Sequence, residues 1–122
     1  MNDHVLVIIK NTPYTNNQAQ DGFDFAMAAA AFDMPIKILL QDQGILNLTQ
    51  NQNSKIINRD SFIDFIKAAE LYELDPIYIV KNHLEKYNLT LDNLIINKNL
   101  IQIIGNNNLS DFIDSFEHVI QY

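Results

Sequence analysis

No cysteine occurs anywhere in the 122 residues. That absence removes disulfides, thiolate metal sites and any cysteine nucleophile at once, and it fits a reducing compartment. Basic residues are also scarce. Eight Lys and Arg stand against fifteen Asp and Glu, for a net charge of −7 and a pI near 4.6. A domain of that sign repels phosphate backbones, which argues against direct nucleic-acid binding, while attraction to a basic protein patch stays open. Long apolar runs are missing too. Val5–Ile9 is too short for a signal peptide and has the wrong flank in Asn2, Asp3 and His4. No stretch approaches the roughly 20 apolar residues that span a bilayer. The expected location is the cytoplasm. Glycine is rare, with three in the chain, and neither a GxGxxG fingerprint nor a P-loop occurs.

What is present is core-forming material. Hydrophobic residues make up 48% of the chain, including five Tyr and seven Phe, enough for one core. The length fits one domain, residues 1–122, with no linker and no internal repeat. His4–Lys10 is a short, continuous apolar run rich in branched residues, the mark of a strand buried on both faces. Asn11 to Gln20 is polar, contains Thr12-Pro13, and reads as a loop. Asp21 is a suitable N-cap for a helix running to about Phe32, with Asp24 supporting its positive end. The run Ala28–Ala31 gives that helix high propensity and a slim cross-section for packing on a sheet. Pro35 stops it.

Ile36–Leu40 reads as a second strand, Gly44 as a turn, and Ile45, Leu46 and Leu48 as a short helical turn. Thr49 to Ser54, rich in Asn and Gln, reads as a surface loop. Ser61 and Asp64 resemble a capping box ahead of Phe62, Phe65, Ile66 and Ala69, which share one helical face. Ile77–Val80 is a third strand, followed by Val80, Leu84 and Tyr87 at helical spacing. Leu94–Ile96 is ambiguous. Leu100–Ile104 is a fourth strand ended by Gly105. Leu109, Phe112, Ile113 and Phe116 form a last helical stripe, and His118–Tyr122 a fifth strand. Strands alternating with helices argue for a five-stranded, mainly parallel sheet in a three-layer α/β/α, flavodoxin-like domain. Ligands of such folds sit beyond the carboxyl ends of the strands, here near Lys10-Asn11, Gln41-Asp42, Val80-Lys81 and Gly105-Asn106.

Chemistry at those ends is sparse. A phosphate loop after the first strand would need small residues whose N–H groups surround the anion. Asn11–Asn16 has no glycine, and Pro13 has no N–H, although Thr12 and Thr15 could donate hydroxyls. A phosphate-receiver domain would need acidic residues after strand one and at the end of strand three. Those places hold Lys10-Asn11 and Val80-Lys81. His4 and His118 sit at strand edges. His83, on the helix after strand three, reads as a solvated or interface residue, with a general-base role as the sharper alternative. No histidine and acid share convincing metal-ligand spacing. Asp21, Asp24, Asp60, Asp64, Asp111 and Asp114 cluster at helix starts, where capping and dipole complementarity account for them. The residues themselves therefore nominate no catalytic, cofactor-binding or metal-binding set.

The ordered combination of Thr12-Pro-Tyr14, Asp21-Gly-Phe-Asp24, the alanine-rich helix and Gln41-Asp-Gln-Gly-Ile-Leu46 resembles the TusC/DsrF group within the DsrE-like fold. That group shows a proline loop after strand one, a glycine at the first helix start, and a D-G-(V/I) turn after strand two. In this chain the turn is Asp42-Gln43-Gly44-Ile45, with one residue intervening. Arg59-Asp60 through Lys67, Leu71-Tyr72, the spacing of strand three to Leu84, and the aromatic-ended last strand are similar as well. The resemblance implies a subunit of a sulfur-relay complex of the TusBCD or DsrEFH type, in which homologous small subunits associate, commonly as a dimer of heterotrimers. Expected partners are TusB-like and cysteine-bearing TusD-like subunits, with no cofactor, no direct nucleic acid and no membrane. A sister subunit carries a persulfide on a cysteine near the end of strand three. Spacing to Leu84 puts the matching position at Ile79, a hydrocarbon that cannot carry sulfur. The resemblance thus implies a non-catalytic member of a sulfurtransferase that passes sulfur toward 2-thiouridine at the tRNA wobble position. The alternatives are a DsrF-type role in dissimilatory sulfur oxidation, a flavin- or nucleotide-binding flavodoxin-like domain, and a free-standing enzyme using His83.

Overall fold

A computed structural model describes residues 5–11, 18–48, 71, 74, 76–94 and 98–122. Five strands, β1 (Val5–Ile9), β2 (Ile36–Leu40), β3 (Ile77–Val80), β4 (Ile101–Ile104) and β5 (His118–Gln121), form one sheet of order β4-β3-β2-β1-β5. Every neighbouring pair is parallel. β1 lies between β2 and β5 and is buried along its whole length, which is why its sequence is an unbroken apolar run. β4 and β5 are the outer strands and are largely exposed.

Alternate residues build two cores. Val5, Val7, Ile9, Ile36, Ile38, Leu40, Ile77 and Ile79 face one side of the sheet. Helix α1 (Gln18–Ala31) covers this side with Phe23, Ala26 and Ala30, and helix α2 (Lys81–Lys86) adds Leu84. Leu6, Ile8, Leu39, Val80 and Ile104 face the other side, where helix α3 (Leu109–Asp114) contributes Leu109, Phe112 and Ile113. The three layers follow from handedness. β1 to β4 step in one direction, so right-handed crossovers place α1 and α2 on one face. The return to β5 reverses direction and sends α3 to the opposite face.

Several elements match the sequence expectation, among them Ile36–Leu40, Ile77–Val80 and the helical turn, a 3-10 segment at Asp42–Leu48. The start of α1 does not. The helix begins at Gln18, so Asp21 lies in its first turn, not at its cap. Its carboxylate still complements the helix dipole there. Burial of Ala19 in the core and a 2.9 Å hydrogen bond from Gln20 to Asp24 support the earlier turn. At the other end, Asp33 takes a left-handed φ of 62°, a conformation that aspartate tolerates better than bulkier residues. Its N–H reaches the Ala30 carbonyl, and that of Met34 reaches Ala29, closing the helix just before Pro35. The fourth strand is preceded by a 3-10 turn, Lys98–Leu100, so it begins at Ile101. Phe116 lies beyond the last helical residue and still packs on the second core. The Thr49–Ser54 loop and the helix expected over Phe62–Ala69 fall outside the described residues.

The second core depends on a helix of six residues, too short to hold itself. Phe112 anchors it, 4.5 Å between ring centroids from Tyr78 on β3 and 5.2 Å from Phe116 in an edge-on arrangement. Phe112→Ala is expected to cost about 2–3 kcal/mol, below the usual range for truncating a fully buried Phe because this ring is half-buried. Equilibrium urea unfolding measures it.

Candidate functional site

The carboxyl edge of the sheet gathers the ends of β1, β2, β3 and β4, and hydrogen bonds tie each end to its surroundings. After β1, the Asn11 side-chain amide donates to Gln18 Oε1 at 2.7 Å, pinning the exit of the strand to the start of α1. After β3, the Asn82 backbone N–H donates to Asn106 Oδ1 at 3.1 Å, linking α2 to the turn after β4. At the end of β2, the Gln41 N–H donates to the Ile9 carbonyl at 3.0 Å and the Gly44 N–H to the Gln41 carbonyl at 2.9 Å. The turn so formed presses its backbone onto β1. A Cβ on Gly44 would collide with the Ile9 carbonyl oxygen, so only glycine fits.

His83 is central to this edge. The Asp42 backbone N–H donates to His83 Nδ1 at 3.0 Å, and His83 Nε2 lies 3.4 Å from Asp42 Oδ1. The side chain is 12% exposed, which argues against the solvated half of the sequence reading, a solvated or interface residue. Its pKa is lowered below the ordinary 6.5. Burial is the main cause and Lys86 adds to it, while the Asp42 charge opposes. An ion pair with Asp42 would require a charged ring, and the acceptor role of Nδ1 argues for the neutral one. In that form Nδ1 holds a lone pair toward the Asp42 N–H, and Nε2 carries the proton toward the carboxylate. Both ring nitrogens are therefore committed, which disfavours the general-base alternative.

Asp42 itself takes a left-handed φ of 53°. His83 and Asp42 stand 41 residues apart in sequence, so no local pattern could have paired them. Ile79 is fully buried on β3 in the first core, beside Leu40 of β2 and Ile103 of β4. His118 is exposed on β5, and His4 lies outside the described residues. Among the described residues, no three His, Asp or Glu side chains converge to hold a metal, and no helix is long and apolar enough to cross a membrane.

Comparison with known proteins agrees with this architecture. The fold is similar to the ychN protein from E. coli, with a TM-score of 0.74 at 12% identity over 98% of this chain and 99% of that one. It is also similar to the conserved protein of unknown function BT1422 from Bacteroides thetaiotaomicron, with a TM-score of 0.60 at 14% identity over 97% of this chain and 94% of that one. In sequence the chain is similar to a "Protein TusC homolog" of Pseudomonas aeruginosa, 22% identical over 98% of both chains. It is 32% identical to the TusC homolog of Haemophilus influenzae over 75% of this chain and 79% of that one. It is 29% identical to the "Intracellular sulfur oxidation protein DsrF" of Allochromatium vinosum over 74% of this chain and 66% of that one. The model of the DsrE/DsrF-like family matches residues 3–122, and the chain belongs to that family.

Proposed function

We propose that this chain, a single domain over residues 1–122, is a non-catalytic subunit of a cytoplasmic sulfurtransferase complex. The complex relays persulfide sulfur toward 2-thiolation of the tRNA wobble uridine. The supporting observation is the match of nearly the whole chain to TusC homologs and of 74% of it to DsrF, combined with the absence of any cysteine. A persulfide forms on a thiolate sulfur, and Ile79, the position equivalent to the sister subunit's cysteine, offers a buried hydrocarbon in its place. In this reading the chain completes and stabilises an assembly with TusB-like and cysteine-bearing TusD-like subunits, arranged as a dimer of heterotrimers. The DsrF relative supports a second reading, a subunit of the same kind serving sulfur oxidation. The flavin- or nucleotide-binding reading gains nothing from the carboxyl edge, where the turn after β2 lies against the β1 backbone.

Native mass spectrometry of the chain co-expressed with the neighbouring subunits of its operon tests the proposal. The expected result is an equimolar assembly that contains the cysteine-bearing subunit and carries labile sulfur on that subunit alone. A monomer that ignores those subunits overturns it, and a co-purified nucleotide mass would favour the flavodoxin-like reading.

A further inference from the structure

We infer that His83 is a pH-sensitive clasp, whose neutral imidazole holds the turn after β2 against the helix after β3 and whose protonation releases it. The clasp stands independently of the proposed function. It rests on the bond from the Asp42 N–H to Nδ1, 3.0 Å long and half-buried, and on the strained backbone it secures, since Asp42 sits at a left-handed φ. An imidazolium carries a proton on Nδ1. It would set two donors against each other and forfeit the bond, leaving only the 3.4 Å approach of Nε2 to Asp42 Oδ1.

The surroundings set the direction of the switch. Asp42 on the 3-10 turn favours the charged ring, and Lys86 on the same helix as His83 disfavours it. Burial is the largest influence and also disfavours it. β3 presents Ile77 and Ile79 to the first core, with Tyr78 packed on the opposite face against Phe112. Because the folded-state pKa lies below the unfolded value of 6.5, the clasp is fully in place above 6.5. The stability it contributes is lost as pH falls from there through the folded pKa, since the unfolded chain then binds the proton more readily. The loss is local. It separates the turn Asp42–Leu48 from α2 at the exits of adjacent strands, while Ile45, Leu48 and Leu84 stay buried in the first core.

The test is nitrogen-15 NMR of the full chain across mildly acidic pH. The neutral His83 ring is expected as the Nε2–H tautomer, with a midpoint below that of a free histidine peptide. The protection factor of the Asp42 amide should fall about tenfold through that same step. His83→Gln keeps an acceptor oxygen that does not titrate, and is expected to make Asp42 protection independent of pH. His83→Phe removes the acceptor and is expected to lower protection at every pH. Asp42→Asn keeps the backbone donor and is expected to move the His83 midpoint further down. An Nδ1–H tautomer, a midpoint at or above the peptide value, or an Asp42 amide equally protected in the wild type and in His83→Phe would each overturn the inference.

Discussion

Gly44→Ala is expected to be the most damaging single-methyl change in the described part of the molecule. It should lower stability by at least about 3 kcal/mol, with a fall in Tm of about 10 °C or more. The cause is not conformational freedom, since Gly44 has no positive φ. It is the approach of two backbones. A Cβ at this position meets the carbonyl carbon of Ile9 at 2.8 Å and overlaps its oxygen outright. That carbonyl already accepts the Gln41 N–H, and Ile9 is a fully buried residue of an inner strand, so neither side can yield without breaking the register of β1 with β2. Gly22→Ala is the informative control. Its Cβ would meet the Tyr122 ring at 3.0 Å and Ile9 Cγ1 at 3.1 Å. These are side chains that can shift, so a loss of about 1 kcal/mol is expected. Thermal and urea unfolding of the two variants together decide the point. Equal losses would mean that the turn after β2 gives way.

Ile79→Ala comes next, with an expected loss of about 3–4 kcal/mol in urea unfolding. The side chain is fully buried between β2 and β4 and belongs to the larger core, so truncation removes transfer energy and leaves a cavity whose walls are strand residues. The companion variant Ile79→Cys asks a chemical question. It restores a sulfur at the position that the family resemblance associates with persulfide, but places it where no water-borne reagent reaches. The folded variant should leave an aromatic disulfide reagent unreacted and consume one equivalent after denaturation. Prompt reaction in the folded state would show that this end of β3 opens readily.

Legibility in the sequence divided along a physical line. β2 and β3 were readable to the residue because each is a short apolar run between Pro or polar punctuation, and burial on both faces leaves no other way to use such a run. The start of α1 was misplaced because Gln18 and Gln20 carry no apolar signal and Ala19 carries little, whereas Asp21 looks like a cap. Only the packing of Ala19 against the sheet decides between the two. Strand order was not legible, since periodicity says which face a residue takes and nothing about which strand lies beside it. Gly44 was recognised as a turn glycine, but its collision partner Ile9 is a tertiary fact. The same holds for His83, which sequence read as a solvated or interface residue and which the fold makes a two-ended tether to Asp42.

The position of β5 bears on how the molecule is made. Val5 pairs with His118, and the Tyr122 carbonyl accepts the Lys10 N–H at 2.8 Å, so β1 acquires its second neighbour from a strand that is translated long after it. In the interval the apolar backbone of β1 has one open side. Closing that pair costs the loop entropy of all the residues between Val5 and His118 before any contact rewards it. Folding of this sheet is therefore expected to wait on β5, and nascent chains are expected to be most prone to association just before it emerges. An added strand-forming segment that reached the open side of β1 first would compete directly with β5.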